Sequence, residues 1–393
     1  MADAQTTVPL ARRERIGELD VLRALAFLAV VLQHSLGVYI RSADVQLSES
    51  TMLGMLFNLS KFAVPTFVFI TGLTLLYNYY ERVDYPRFLW KRAVEILLPY
   101  ALWCLVYEVY LNDWHLPALT AAWAMHFGRN VLLGSEYYHL WFIPMTFQFY
   151  LLYPLLLWVF KQARRLTTTR AGLVAMIALL LAAYGWLMWF TIYRIGGGHV
   201  HPTSWFGKNL IRFLDMNFVW WSGYFFLGAM AGVALHRWRE FVVRSVNWNG
   251  FLFVGLFLWV GYELMRSTYS GPVNLNFSTS LKPSMFFYTV SEVLLLYGLS
   301  MAIAKSGGWL HQMFAFFGKH SYGAYLAHAL LLNYVIRAIA KYVHVGNYVA
   351  LSFVLFAGCA IATALLVFLI SKIPYGNLLV GSAGKKKKKP LPA

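Results

Sequence analysis

The sequence predicts an all-α, polytopic integral membrane helical bundle of about ten transmembrane helices with both termini cytoplasmic. Three observations predict it: the apolar content, the length of the apolar runs and the placement of the positive charges. Of 393 residues, 60% are hydrophobic and only 12% are charged, whereas a soluble domain runs near a quarter charged. The apolar residues gather in runs of roughly 18 to 25, each long enough to cross about 30 Å of hydrocarbon. With the amino terminus inside, 22 of the 33 Lys and Arg fall on the inner side and eight on the outer, while Arg23, Lys61 and Arg337 stay within spans. That bias is the positive-inside pattern, so the net charge of +17 reflects topology and implies no nucleic-acid partner.

The runs lie at roughly 19–40, 52–80, 93–111, 139–160, 171–193, 217–236, 250–266, 284–304, 320–340 and 347–371. A cytoplasmic segment (1–18) precedes the membrane domain (19–372), and the first span reads as an uncleaved start-transfer helix. A basic tail (373–393) containing five consecutive lysines follows, suited to anionic inner-leaflet lipid. So short a tail leaves the chemistry to the membrane domain itself. Residues 117–134, of intermediate hydrophobicity, read as an amphipathic or re-entrant piece. Cys104 and Cys359 both fall inside apolar runs, and neither a disulfide framework nor a metal-ligand spacing results.

Ionisable groups inside spans carry the functional expectations, because a charge at mid-bilayer costs about 3 kcal/mol or more and usually faces a cavity. In "LDVLRALAFLAVVLQH", Arg23 and His34 are eleven residues apart. Eleven steps of about 100° place them on one face, roughly 16 Å apart along the axis. Asp20 can pair with Arg23, which could also snorkel to the headgroups. In "NLSKFAVPTFVFITG", Lys61 lies at a depth like that of His34, and Pro65 and Gly72 are expected to interrupt the helix. A lysine beside His34 would disfavour an imidazolium and keep a neutral base.

"KRAVEILLPY" sets Lys91, Arg92 and Glu95 at the cytoplasmic mouth of the third span, where Arg92 can pair with Glu95 or with a phosphate. In "YYHLWFIPMTFQFYLLYP", Tyr138, His139 and Trp141 sit where an interfacial aromatic belt is expected. In "SYGAYLAH", Ser321, Tyr325 and His328 form one polar stripe suited to a cavity wall. No serine or cysteine is paired with a base and a third orienting group, so covalent serine hydrolysis is not expected. A histidine in a partly dry cavity can act as a base on an alcohol or relay an acyl group, and a cationic patch suits an anionic donor.

These stretches together resemble the membrane acyltransferase family 3 proteins. The Arg23–His34 spacing is similar to the family's first-helix signature. "KFAVPTFVFITGLTLL" resembles its second helix, with Lys61 where arginine is common and Thr71 where serine is common. "KRAVEILLPY" resembles its basic third-helix entry. "YYHLWFIPMTFQFYLLYP" resembles the branch containing surface-polysaccharide O-acetyltransferases, and "GKHSYGAYLAH" its late Ser…Tyr…His helix.

The resemblance spans about residues 19 to 330. It implies transfer of an acyl group, usually acetyl, from cytoplasmic acetyl-coenzyme A to a hydroxyl of an envelope glycan or lipid-linked sugar, in a bacterial cell membrane. No permanently bound cofactor is implied, and an extracellular hydrolase-like domain carried by some members is not expected here. By resemblance, Arg23 and Arg92, with Glu95 beside them, hold the donor, and His34 is base or relay. Lys61, Ser321, Tyr325 and His328 then shape the chamber, while His139 and Trp141 meet the sugar. Export of a polysaccharide or its lipid-linked precursor is the alternative that the same span pattern leaves open.

Overall fold

The computed structural model describes residues 15–381, apart from residues 43, 168, 196–197, 200–202, 268–272 and 344–345. The lysine-rich tail and Arg12 and Arg13 lie outside the described residues. The helices run in order α1 (Glu18–Tyr39), α2 (Leu47–Leu59), α3 (Ala63–Tyr79), α4 (Tyr85–Arg92), α5 (Leu98–Leu111), α6 (Ala121–Leu133), α7 (Phe142–Leu151) and α8 (Tyr153–Leu166). They continue with α9 (Arg170–Trp189), α10 (Trp205–Arg212), α11 (Ser222–Val233), α12 (Leu235–Ser267), α13 (Pro283–Ser306), α14 (Trp309–Tyr342), α15 (Tyr348–Ile370) and α16 (Asn377–Val380).

Eight helices among the described residues are long and apolar enough to cross a membrane. A ninth candidate is the α7–α8 pair, bent by 62°. The tenth expected span corresponds to the shorter apolar helix Phe218–Val233. The bend has a plain cause. Pro154 near the start of α8 offers no N–H and clashes with the preceding turn.

Pro65 and Gly72 were expected to interrupt the second span, and both lie in continuous helix. The interruption falls earlier, at Ser60–Phe62, where Ser60 N–H and Lys61 N–H turn back to Phe57 and Asn58 carbonyls. Pro65 sits in the first turn of α3, where a missing N–H is best tolerated. Gly72 serves packing: a Cβ there would stand 2.0 Å from the Phe225 carbonyl oxygen of α11. Small residues let membrane helices approach closely, which matters where lipid removes the hydrophobic drive for association.

The segment around 117–134 forms α6, whose 13 residues reach only about 20 Å. The Thr120 hydroxyl caps it and Gly134, at φ 66°, ends it. Trp123 Nε1 donates to Glu108 Oε1 at 2.9 Å and docks it on α5. This is the amphipathic reading.

α1 runs through the centre of the bundle, against α3, α13, α14 and α15. Its amino-terminal end is anchored by buried Glu18, which accepts from Arg239 at 2.7 Å and from the Tyr297 hydroxyl at 3.0 Å. Gly318 of α14 meets it so closely that a Cβ would lie 1.9 Å from the Asp20 carbonyl oxygen. This contact fixes α1 against α14 and thereby sets which side chains further along the two helices meet.

Candidate active site

Two groups of side chains gather along α1, one near each end. Toward its carboxyl end, His34 stacks on His328 of α14, with ring centroids 5.3 Å apart and planes inclined by 27°. His328 in turn meets His139 edge to face at 4.7 Å. His328 is fully buried and His139 is 3% exposed, while His34 at the rim is only partly covered.

The Nδ1 of His328 lies 2.6 Å from the Tyr325 carbonyl oxygen of its own helix. A carbonyl only accepts, so Nδ1 carries the proton and the lone pair stands on Nε2. That Nε2 is buried and has no hydrogen-bond partner among the described residues. Neither ring nitrogen of His139 makes a well-directed hydrogen bond there either. Buried polar atoms are nearly always well paired, so an open Nε2 beside two poorly bonded ring nitrogens sets this cluster apart.

His139 is therefore not part of an interfacial belt. The loop from Gly134 to Trp141 turns inward through short-range bonds, Leu140 N–H to Tyr137 carbonyl at 3.0 Å and Ile143 N–H to Leu140 carbonyl at 3.1 Å. The Tyr325 hydroxyl then donates to the His139 carbonyl, which holds the loop against α14. Tyr138 covers His34 edge-on at 4.9 Å. Trp141 is half-buried, its ring against Trp221 at 5.7 Å and against Phe142 at 6.2 Å.

Tyr107 of α5 was not anticipated. Its hydroxyl donates to the Leu326 carbonyl at 2.8 Å and accepts from Leu330 N–H at 3.2 Å, inserting between the two backbone groups that flank His328. Its ring also meets His139 at 5.4 Å. The only signal in the sequence is a tyrosine inside an apolar run. Ser321, expected in the same wall, spends its hydroxyl on the Gly318 carbonyl at 2.9 Å and so faces its own helix. Lys61 stands at the α2–α3 break, 5.1 Å from the Phe57 ring centre and within electrostatic reach of His34.

Toward the other end of α1, Arg23 pairs with Asp20 at 3.1 Å, and Asp20 also holds Arg15. Arg92 pairs with Glu95 at 3.1 Å and donates to the Tyr79 hydroxyl at 3.4 Å. A π-helical turn, Ala93–Leu97, follows directly, a distortion common at functional sites. Tyr150 lies within reach of both arginines, its ring centre 5.8 Å from the Arg92 guanidinium.

The face joining the two groups is closed in its middle. Phe27 and Val30, which stand on the same face of α1 between Arg23 and His34 along its axis, are 0% and 5% exposed. The expectation of a polar stripe thus holds at its ends and fails between them, because the intervening residues are large and apolar.

Outside the spans, Glu136 is buried beside Asn130, which donates to it at 3.1 Å. Burial and the neighbouring Glu108 carboxyl push its pKa up to about 7.

Comparison with known sequences and folds gives one match. A family model described as an acyltransferase domain covers residues 16–372 of the chain. No curated protein and no solved structure matches. The match takes in both ends of α1, the inward loop and the His328 helix, and it favours an enzyme over an exporter: the chain belongs to membrane acyltransferase family 3.

Proposed function

We propose that this multi-pass membrane acyltransferase carries an acyl group, acetyl in the first instance, from a cytoplasmic acyl-coenzyme A to oxygen. The acceptor is a hydroxyl of a cell-envelope polysaccharide or lipid-linked sugar, and the membrane is the plasma membrane of a bacterium. The observation that carries this reading is the imidazole cluster, in which partly covered His34 stacks on buried His328 and His328 meets buried His139, with the His328 Nε2 left open.

The donor's phosphates suit the Arg23–Arg92 end, where guanidinium groups offer paired donors and the positive-inside bias sets the cytoplasm. The thioester arm then extends along α1 toward His34. His34 takes the proton of the acceptor hydroxyl, and the oxygen attacks the thioester carbonyl carbon. The carbon–sulfur bond breaks, an ester forms, and the departing thiolate recovers the proton from the imidazolium. Atoms and charge balance without a second reagent. Tyr325 and Tyr107 hold His328 and His139 in place around the reacting histidine, and the low dielectric there strengthens each polar contact. The lysine-rich tail suits anionic inner-leaflet lipid.

The test is acyl incorporation into envelope glycan by cells carrying His34→Ala at matched protein level. Loss of incorporation is expected. Unchanged incorporation would remove His34 from the chemistry.

A further inference from the structure

A groove of about 450 Å³ lies apart from the imidazole cluster, between the π-helical extension of α9 (Phe190–Ile195), α12 and the start of α13. Its walls are aromatic, with Trp189, Tyr193, Trp259 and Phe287 each substantially exposed on the outer surface of the bundle. Since these rings project from membrane-spanning helices, the groove opens toward lipid.

Its floor is polar. Lys282 Nζ stands 2.9 Å from Glu263 Oε2, and the Ser284 hydroxyl donates to the same oxygen at 2.7 Å. The Lys282 side chain is 4% exposed and that of Glu263 17%. Replacing such a covered ion pair with apolar side chains is often neutral or stabilising, so its presence here points to a task.

Flat rings facing a floor of ammonium, carboxylate and hydroxyl match one ligand chemistry closely. The C–H faces of a sugar stack on indole and phenol rings, while its hydroxyls accept from the ammonium and donate to the carboxylate. A water-borne sugar needs no opening toward fatty tails, but a sugar on a lipid anchor does. The groove also lies on the His34 side of the bundle: the Tyr288 hydroxyl, one residue past Phe287, donates to the Asn58 carbonyl at 3.4 Å, and the side chain of Gln33, next to His34 in α1, donates to the Ser60 carbonyl two residues further on.

We propose that this groove receives the sugar headgroup of a membrane-borne glycolipid, entering sideways from the leaflet, and directs its hydroxyl toward His34. The proposal rests on the reading of the protein as an acyltransferase acting on sugars, and it selects the lipid-linked acceptor over the free polysaccharide.

The experiment uses the full chain in lipid nanodiscs with two probes: a photoactivatable monoglucosyl diacylglycerol, and the same diacylglycerol without sugar. Peptide mapping is expected to place the glucosylated probe on segments 189–195, 256–263 or 282–287, about fivefold above the sugar-free probe, as loss of one aromatic contact suggests. Trp259→Ala is expected to lower that labelling severalfold with the melting temperature unchanged. Should that variant misfold, isosteric Glu263→Gln gives the same reading by a smaller factor. Equal labelling by both probes, or labelling by the glucosylated probe elsewhere, overturns the proposal. Labelling needs no turnover, so groove labelling without acyl transfer would count against the sugar-acyltransferase reading alone. Transfer to a water-soluble sugar with no groove labelling would count against the groove alone.

Discussion

The two ends of α1 handle charge in opposite ways. At the arginine end four cations have a carboxylate within reach: Arg23 and Arg15 share Asp20, while Arg92 and Lys91 share Glu95. At the imidazole end the Nε2 of His328 has no described partner, and neither ring nitrogen of His139 makes a well-directed bond. The first arrangement is satisfied by carboxylates, which the proposed function has an anionic donor replace. The second is held open by packing, which the proposed function uses for a transient proton.

That contrast predicts different kinetic signatures at the two ends. The largest effect is expected from His34→Ala, with kcat lower by about 10² to 10⁴ and KM for the acyl-coenzyme A donor little changed, measured by acyl transfer with purified protein. His328→Phe retains a flat aromatic ring and removes the lone pair, and is expected to reduce kcat by about tenfold to a hundredfold. If it instead raises donor KM alone, the division between the ends breaks down. Arg92→Gln is expected to raise donor KM about tenfold while leaving kcat near its original value, an effect that should shrink as salt rises.

Smaller effects sharpen the same contrast through stability. Tyr107→Phe strips the hydroxyl from between the Leu326 carbonyl and Leu330 N–H and is expected to cost about 1 to 2 kcal/mol by chemical denaturation. Glu136 lies outside both ends, with a pKa raised to about 7. Its folded form binds the proton more tightly than its unfolded form, so stability falls as pH rises from the ordinary carboxylate range through about 7. A melting temperature lower at pH 8 than at pH 5, with the difference reduced in Glu136→Gln, is the expected outcome.

Much of the fold was legible because bilayer thickness imposes a length on each apolar run, and all ten runs correspond to helical segments. What escaped were features fixed by three-dimensional packing. The second-span break lies at Ser60–Phe62, with the Gln33 side chain of neighbouring α1 donating to the Ser60 carbonyl, so Pro65 nearby was a misleading marker. His34, Tyr325 and His328 were legible because a polar group repeated at helical spacing declares a common face. His139 was not, since a histidine among tyrosines and tryptophans at a span edge looks the same whether its loop turns outward or inward. Tyr107 gave no warning, because its role depends on two backbone atoms more than two hundred residues away. Ser321 kept its place on the stripe but turned its hydroxyl to its own backbone, a choice the spacing does not encode.

The tightly packed span of α1 between its two polar ends has a bearing on the cell's energy supply. A standing column of water from one face to the other would let protons run down their gradient. With Phe27 and Val30 wedged between them, the two halves stay electrically insulated along this helix. On the function proposed above, a donor arm reaching His34 from the Arg23 end has to part these two side chains, and their return closes the way behind it.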